Sequence, residues 1–370
     1  MPDNTQQPRR HHLGYLDSAR GIAALMVLFY HFINWRYEGL MSIKLASFIF
    51  NGRDAVSFFF VLSGFVLSYK YIVMKEPLDV RNFFINRFLR LFPAFFVTLF
   101  ISALYWQSAN MHLHRLYEVF VLNKDQFWEE AYLFKTHNKF YVPGWTLVLE
   151  LSVSFFMPFT ITMAKVNRKL IPWLIFTYLI ISYVINSFFI HFALGLLISC
   201  YYFEISNTSF KDTKWYKYRV PLIIAAFVLY SVRAIDHVSH FGSTYAYLAD
   251  FFQIDFLLYS GFGSFIFLIA MVHSRRLQRV LNIGILRFYG KISYGVYLMH
   301  WIVVTVIFEH WDILLPHFQN NNKIAFFSLL AICIATTTLL ASLMHYAVEL
   351  PFIKMGKKIT AKLSPSVVIN

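Results

Sequence analysis

Apolar residues fall in long runs separated by short polar segments, and the runs have the length a bilayer requires. A helix crossing the hydrocarbon core needs about 20 mostly apolar residues, at about 1.5 Å rise each. Such runs lie at 14–35, 48–70, 84–106, 145–164, 170–187, 189–205, 219–234, 252–272, 291–310 and 324–348. The pattern predicts an all-α polytopic membrane protein with about ten transmembrane helices. The fifth and sixth runs nearly meet at Asn186 and Ser187, which demands a very tight hairpin. No internal repeat is visible, so an inverted-repeat transporter is not signalled.

The polar segments orient the runs. Lys70, Lys75, Arg81, Arg87 and Arg90 follow the second run, and Lys165, Arg168 and Lys169 the fourth. Lys211, Lys214, Lys217 and Arg219 follow the sixth, and Arg275, Arg276, Arg279, Arg287 and Lys291 the eighth. Intervening loops are balanced or acidic, as at Asp236, Asp250 and Asp255. Cytoplasmic loops collect Lys and Arg, so both termini are expected in the cytoplasm and the helix count should be even. The chain is read as a disordered cytoplasmic tail (1–13), a transmembrane domain (14–350) and a basic cytoplasmic tail (351–370). The first run is too long for a signal peptide and lacks a convincing cleavage site. The long segment 107–144 mixes aromatic residues, histidines and both charge signs. It is expected on the outer side, and long loops in compact proteins are often functional.

Composition agrees. Hydrophobic residues make up 58% of the chain, aromatic residues 20% and charged residues 14%. A soluble domain carries about a quarter charged residues. The net charge of +14 would suggest a nucleic-acid partner in a soluble protein. Here topology accounts for it; the expected partner is the lipid bilayer, with no nucleic acid. Cys200 and Cys333 both sit in apolar runs, and no metal site or disulfide framework is indicated.

Ionisable groups inside membrane helices are costly and face the bundle interior, which makes them the place to look for chemistry. Arg20 and His31 lie in the first run. Their interval advances a helix about 20° beyond three full turns, so they share a face, about 16 Å apart. Arg20 could be an interface anchor and His31 a packing residue; their alignment favours a shared role. Arg87 and Arg90 also share a helix face. Positive-inside anchoring explains them, as does a phosphate clamp of planar guanidinium donors. Glu150 follows Gly144-Trp145-Thr146-Leu147 and is expected at a depth similar to His31. A carboxylate there could orient the imidazole and support its basicity. Ser63 and Gly64 form a small-residue site that suits close helix packing. His300 is a lone histidine in an apolar stretch, and Glu349 is expected to close the tenth helix and pair with Arg20, Arg87 or Arg90.

These blocks, in this order, resemble the membrane-bound acyltransferase-3 family. Leu16-Asp17-Ser18-Ala19-Arg20-Gly21 with His31 is similar to its Arg-x10-His signature, and Ser63-Gly64-Phe65 to its second-helix motif. Arg87 to Pro93 resembles its arginine motif, and Trp145-Thr146-Leu147-Val148-Leu149-Glu150 its Trp-Ser-Leu-x-x-Glu motif, with Thr146 for the commoner Ser. Ser293-Tyr294 to His300 and Val348-Glu349-Leu350-Pro351 resemble its C-terminal blocks, with Leu350 where a basic residue is frequent. The resemblance implies O-acylation, usually acetylation, of a cell-envelope carbohydrate at the inner (plasma) membrane. Acyl coenzyme A, usually acetyl coenzyme A, would serve as co-substrate, with no permanently bound cofactor. It implies His31 and Glu150 as catalytic residues. Arg20, Arg87, Arg90, Ser63, Ser293 and Tyr294 would hold the donor, and Trp145 and His300 the acceptor. An exporter of an envelope saccharide or lipid-linked intermediate is the alternative. The acceptor and the oligomeric state are left open.

Overall fold

Each of the ten apolar runs folds as helix. The computed structural model describes residues 13–36, 50–106, 124–133, 140–185, 187–207, 217–231 and 256–363. The N-terminal tail, most of the segment 107–144, Asn186, Lys211, Lys214 and the acidic loop of Asp236, Asp250 and Asp255 lie outside the described residues. The helices are α1 (Gly14–Arg36), α2 (Gly52–Ile72), α3 (Val80–Trp106), α4 (Lys124–Ala131), α5 (Trp145–Val166), α6 (Ile171–Val184) and α7 (Phe189–Cys200). They continue as α8 (Tyr202–Asn207), α9 (Arg219–Tyr230), α10 (Phe256–His273), α11 (Arg275–Leu281), α12 (Gly284–Lys291) and α13 (Ser293–Glu309). Last come α14 (Trp311–Leu314), α15 (Asn322–Met344) and α16 (Leu350–Leu363). No strand occurs among the described residues. The protein is an all-α polytopic membrane protein.

The span count differs from the sequence expectation. Among the described residues, five helices are long and apolar enough to cross a membrane, or six if α12 and α13, bent at Ile292, form one span. Helix α6 has 14 residues, and α7 and α9 have 12 each. Twelve residues rise only about 18 Å, short of the roughly 30 Å hydrocarbon core. The ten runs are therefore ten helices, but not ten full spans among the described residues.

The chain divides into two compact units. The first comprises Met1–Ala23, Arg53–Pro77 and Phe159–Lys291. Its core depends on small residues, as helix packing in lipid does. A Cβ placed on Gly64 would lie 2.2 Å from the Phe192 carbonyl oxygen, and one on Gly195 would lie 2.0 Å from that of Val61. The backbones of α2 and α7 thus touch where neither glycine can be replaced without displacing main chain. Ser68 Oγ donates to Ser199 Oγ at 2.7 Å beside this crossing, and the Ser57 and Ser260 hydroxyls meet at 2.8 Å. Between α5 and α6, the Arg168 guanidinium donates to Glu204 at 2.8 Å and holds its carboxyl below the ordinary range.

The second unit comprises Ala24–Gly52, Leu78–Pro158 and Ile292–Asn370. Helix α13 is its buried element, lined on one side by Leu28, Phe32, Ala325 and Phe326 and on the other by Phe95, Leu99, Phe140 and Tyr141. Past Met344 the chain does not stop. His345–Glu349 forms a π-helical segment, and α16 continues the helix through most of what the sequence suggested was a tail.

Candidate active site

Helix α1 is unbroken from Gly14 to Arg36, so the interval from Arg20 to His31 is helical, as its spacing predicts. Arg20 donates to Asp17 one turn earlier, at 3.0 Å. His31 belongs to the second unit. Its ring stacks on that of His300, with centroids 5.4 Å apart, and meets the Trp301 ring edge-on at 5.1 Å. His300 is fully buried, and its Nδ1 donates to the Tyr297 carbonyl oxygen at 2.6 Å. That bond places a proton on Nδ1, and Nε2 has no protein partner among the described residues.

Helix α13 carries a line of polar groups away from this imidazole pair. Tyr294, Tyr297 and Trp301 share one side of it, spaced three and four residues apart. The Tyr297 hydroxyl is 2.9 Å from that of Thr146, which donates to the Pro143 carbonyl and so caps the entry to α5. One turn further along α5 is Glu150. Its carboxylate accepts from Arg87 Nη2 at 2.5 Å, while Arg87 Nε donates to Ser154 Oγ at 2.8 Å. Arg87 is 8% exposed, so this is a guanidinium taken almost wholly out of water. The Tyr294 hydroxyl donates to the Leu91 carbonyl at 2.8 Å and lies within electrostatic reach of Arg87, Arg90, Glu150 and Glu349. Arg90, one turn beyond Arg87, is exposed.

A family model described as an acyltransferase domain matches residues 13–346. The chain is a member of the acyltransferase-3 family. Nodulation protein 10 of Rhizobium leguminosarum bv. viciae is 27% identical over 164 residues. That alignment covers 40% of this chain and 44% of the relative, less than half of its length. No solved structure matches the chain.

In this acyltransferase-3 protein the residues singled out in the sequence fall into two groups. His31, Arg87, Arg90, Trp145, Glu150, Ser293, Tyr294 and His300 lie in the second unit, and Arg20 and Ser63 in the first. Glu150, expected beside His31, ion-pairs with Arg87, a residue expected to hold donor phosphate. Glu349 does not close α15. It is buried within the π-helical segment and accepts from His345 at 2.9 Å.

Sequence reasoning missed Trp301, Tyr297, Ser154 and Glu130. The buried Glu130 carboxylate on α4 accepts the backbone N–H of Phe140 at 3.0 Å and of Tyr141 at 3.2 Å. Tyr141 then donates through its hydroxyl to the Leu298 carbonyl at 3.1 Å. One acid residue thus ties α4 to the turn that launches α5. A carboxylate among the aromatic residues of 124–141 was the available signal.

Proposed function

We propose that this protein moves an acyl group, acetyl by preference, from acyl coenzyme A to a hydroxyl of a cell-envelope carbohydrate. The observation that carries the reading is the stacking of His31 on His300 beside Trp301. The buried His300 presents an Nε2 with no protein partner among the described residues, and the Trp301 indole beside it is a ring against which a sugar can lie. His31 acts as general base. It takes the proton of the acceptor hydroxyl as the oxygen attacks the thioester carbonyl. The C–O bond forms, the C–S bond breaks, and the departing thiolate recovers the proton from the imidazolium. A positioned histidine base is worth about 10²–10⁴-fold.

Arg90 is free of the burial that commits Arg87 to Glu150 and Ser154, and it is the better partner for a donor phosphate. Arg20, three turns before His31 on the same helix, is a second. Arg87 and Glu150 then act by holding α3 and α5 in register, with Tyr294 of α13 beside them, and Ser293 takes part in holding the donor. Trp145 and His300 take the acceptor. The protein resides in the inner membrane with both termini cytoplasmic.

The test is to supply proteoliposomes with acetyl coenzyme A labelled in the acetyl group and envelope saccharide from the source cell. Label recovered covalently in the carbohydrate supports the reading. Saccharide moved across the bilayer but chemically unchanged would support an exporter instead.

A further inference from the structure

Helix α16 divides into three lines of residues four apart, and each line meets a different environment. Gly356 and Thr360 are buried against α3. Asn86 of α3 donates to Thr360 Oγ1 at 3.4 Å, and Arg81 Nη2 donates to the Leu363 carbonyl at 2.9 Å. The next line is apolar and exposed: Met355 (39%), Ile359 (37%) and Leu363 (37%). Beyond it, Lys354, Lys358 and Lys362 form an exposed basic line, and Lys357 is also exposed. Successive residues are about 100° apart on a helix, so the apolar line lies between the protein-packed line and the lysine line.

That order suits neither a solvated helix nor a span. Water would meet three large apolar side chains, and hydrocarbon would meet the lysines. A membrane surface satisfies both, with apolar side chains at the acyl boundary and long lysine stems carrying their ammonium groups to headgroups. Length agrees. Helices α15 and α16 with the π-helical segment between them run 42 residues, Asn322–Leu363. That is about 63 Å, roughly twice the hydrocarbon core, so one end must leave it. The lysines set the sign of the headgroup, because a basic cluster next to a span attracts anionic lipid.

We propose that α16 is a binding surface for anionic phospholipid, read by Lys354, Lys358 and Lys362 while Met355, Ile359 and Leu363 enter the acyl boundary. This does not depend on the acyl-transfer reading. The probe is a polarity-sensitive dye on Ile359→Cys in the full chain. Cys200 and Cys333 are buried, so labelling is selective. The protein is placed in nanodiscs of phosphatidylcholine in which phosphatidylglycerol is progressively substituted. The dye emission should move to the blue as the anionic lipid rises, and brominated phosphatidylglycerol should quench it. Lys358→Gln should move the transition to a higher anionic fraction, with surface binding weakened roughly fivefold, the worth of one lysine near a charged surface. Water-like emission at every composition, or a shift indifferent to lipid charge, would overturn the proposal. The brominated-lipid arm needs no lysine variant and decides the matter even if one fails to fold.

Discussion

Arg87 and Glu150 form an ion pair at 2.5 Å across α3 and α5, with Ser154 taking the second guanidinium edge at 2.8 Å. Removing one partner of a buried pair leaves the other charge uncompensated, at about 3–5 kcal/mol. Arg87→Ala and Glu150→Gln should each lower the thermal midpoint of the purified protein. Arg87→Lys should not restore it, because a lysine cannot reach two acceptors with one planar fork. Thermal unfolding in detergent checks this; a midpoint unchanged in all three variants would contradict the positioning role.

Arg90 should behave differently from its neighbour. It is exposed, so Arg90→Ala leaves the fold alone. A lost charge-assisted hydrogen bond of about 1.5–3 kcal/mol predicts acetyl coenzyme A affinity reduced by roughly tenfold or more. Isothermal titration with acetyl coenzyme A measures it, at an unchanged thermal midpoint.

The α2–α7 crossing predicts intolerance of a single methyl group. Gly195→Ala puts a Cβ 2.0 Å from the Val61 carbonyl oxygen, and main chain must move to accept it. Overpacking of this kind costs about 1–3 kcal/mol. The yield of monodisperse protein after detergent extraction should fall, whereas Ser68→Ala, which removes a hydroxyl shared among Gly64, Phe65 and Ser199 without adding bulk, should be milder.

Glu130 is predicted to hold the entry to α5. Glu130→Ala leaves the Phe140 and Tyr141 N–H groups without their acceptor, at about 1–3 kcal/mol each. Limited proteolysis should then cut near 140–144 faster than in the parent. Glu130→Gln, which keeps one acceptor oxygen, should be intermediate.

Much of this was legible in the sequence, and what was not has definite causes. The shared face of Arg20 and His31 follows from helix period alone, and α1 is unbroken between them. The Arg87–Glu150 pair depends on how α3 and α5 are placed against each other, which no local pattern encodes. Apolar runs announce helices but not their lengths: the described parts of α6, α7 and α9 are only 14, 12 and 12 residues long. The sequence reading closes the tenth helix at Glu349, whereas the chain stays helical to Leu363. Proline removes one backbone donor from a continuing helix, and here Pro351 comes directly after the π-helical segment His345–Glu349 and Leu350, where the regular ladder is already interrupted. Within the stretch read as a basic tail, the lysines and apolar residues recur at a four-residue spacing that suits a helix.

The proposed transfer depends on the His31 imidazole taking the acceptor's proton. Mass spectrometry of envelope glycans from cells producing the parent protein or His31→Ala, at matched levels in the membrane, tests it most directly. The acetyl mass increment should appear with the parent and vanish with His31→Ala. Its persistence with the variant would contradict the account.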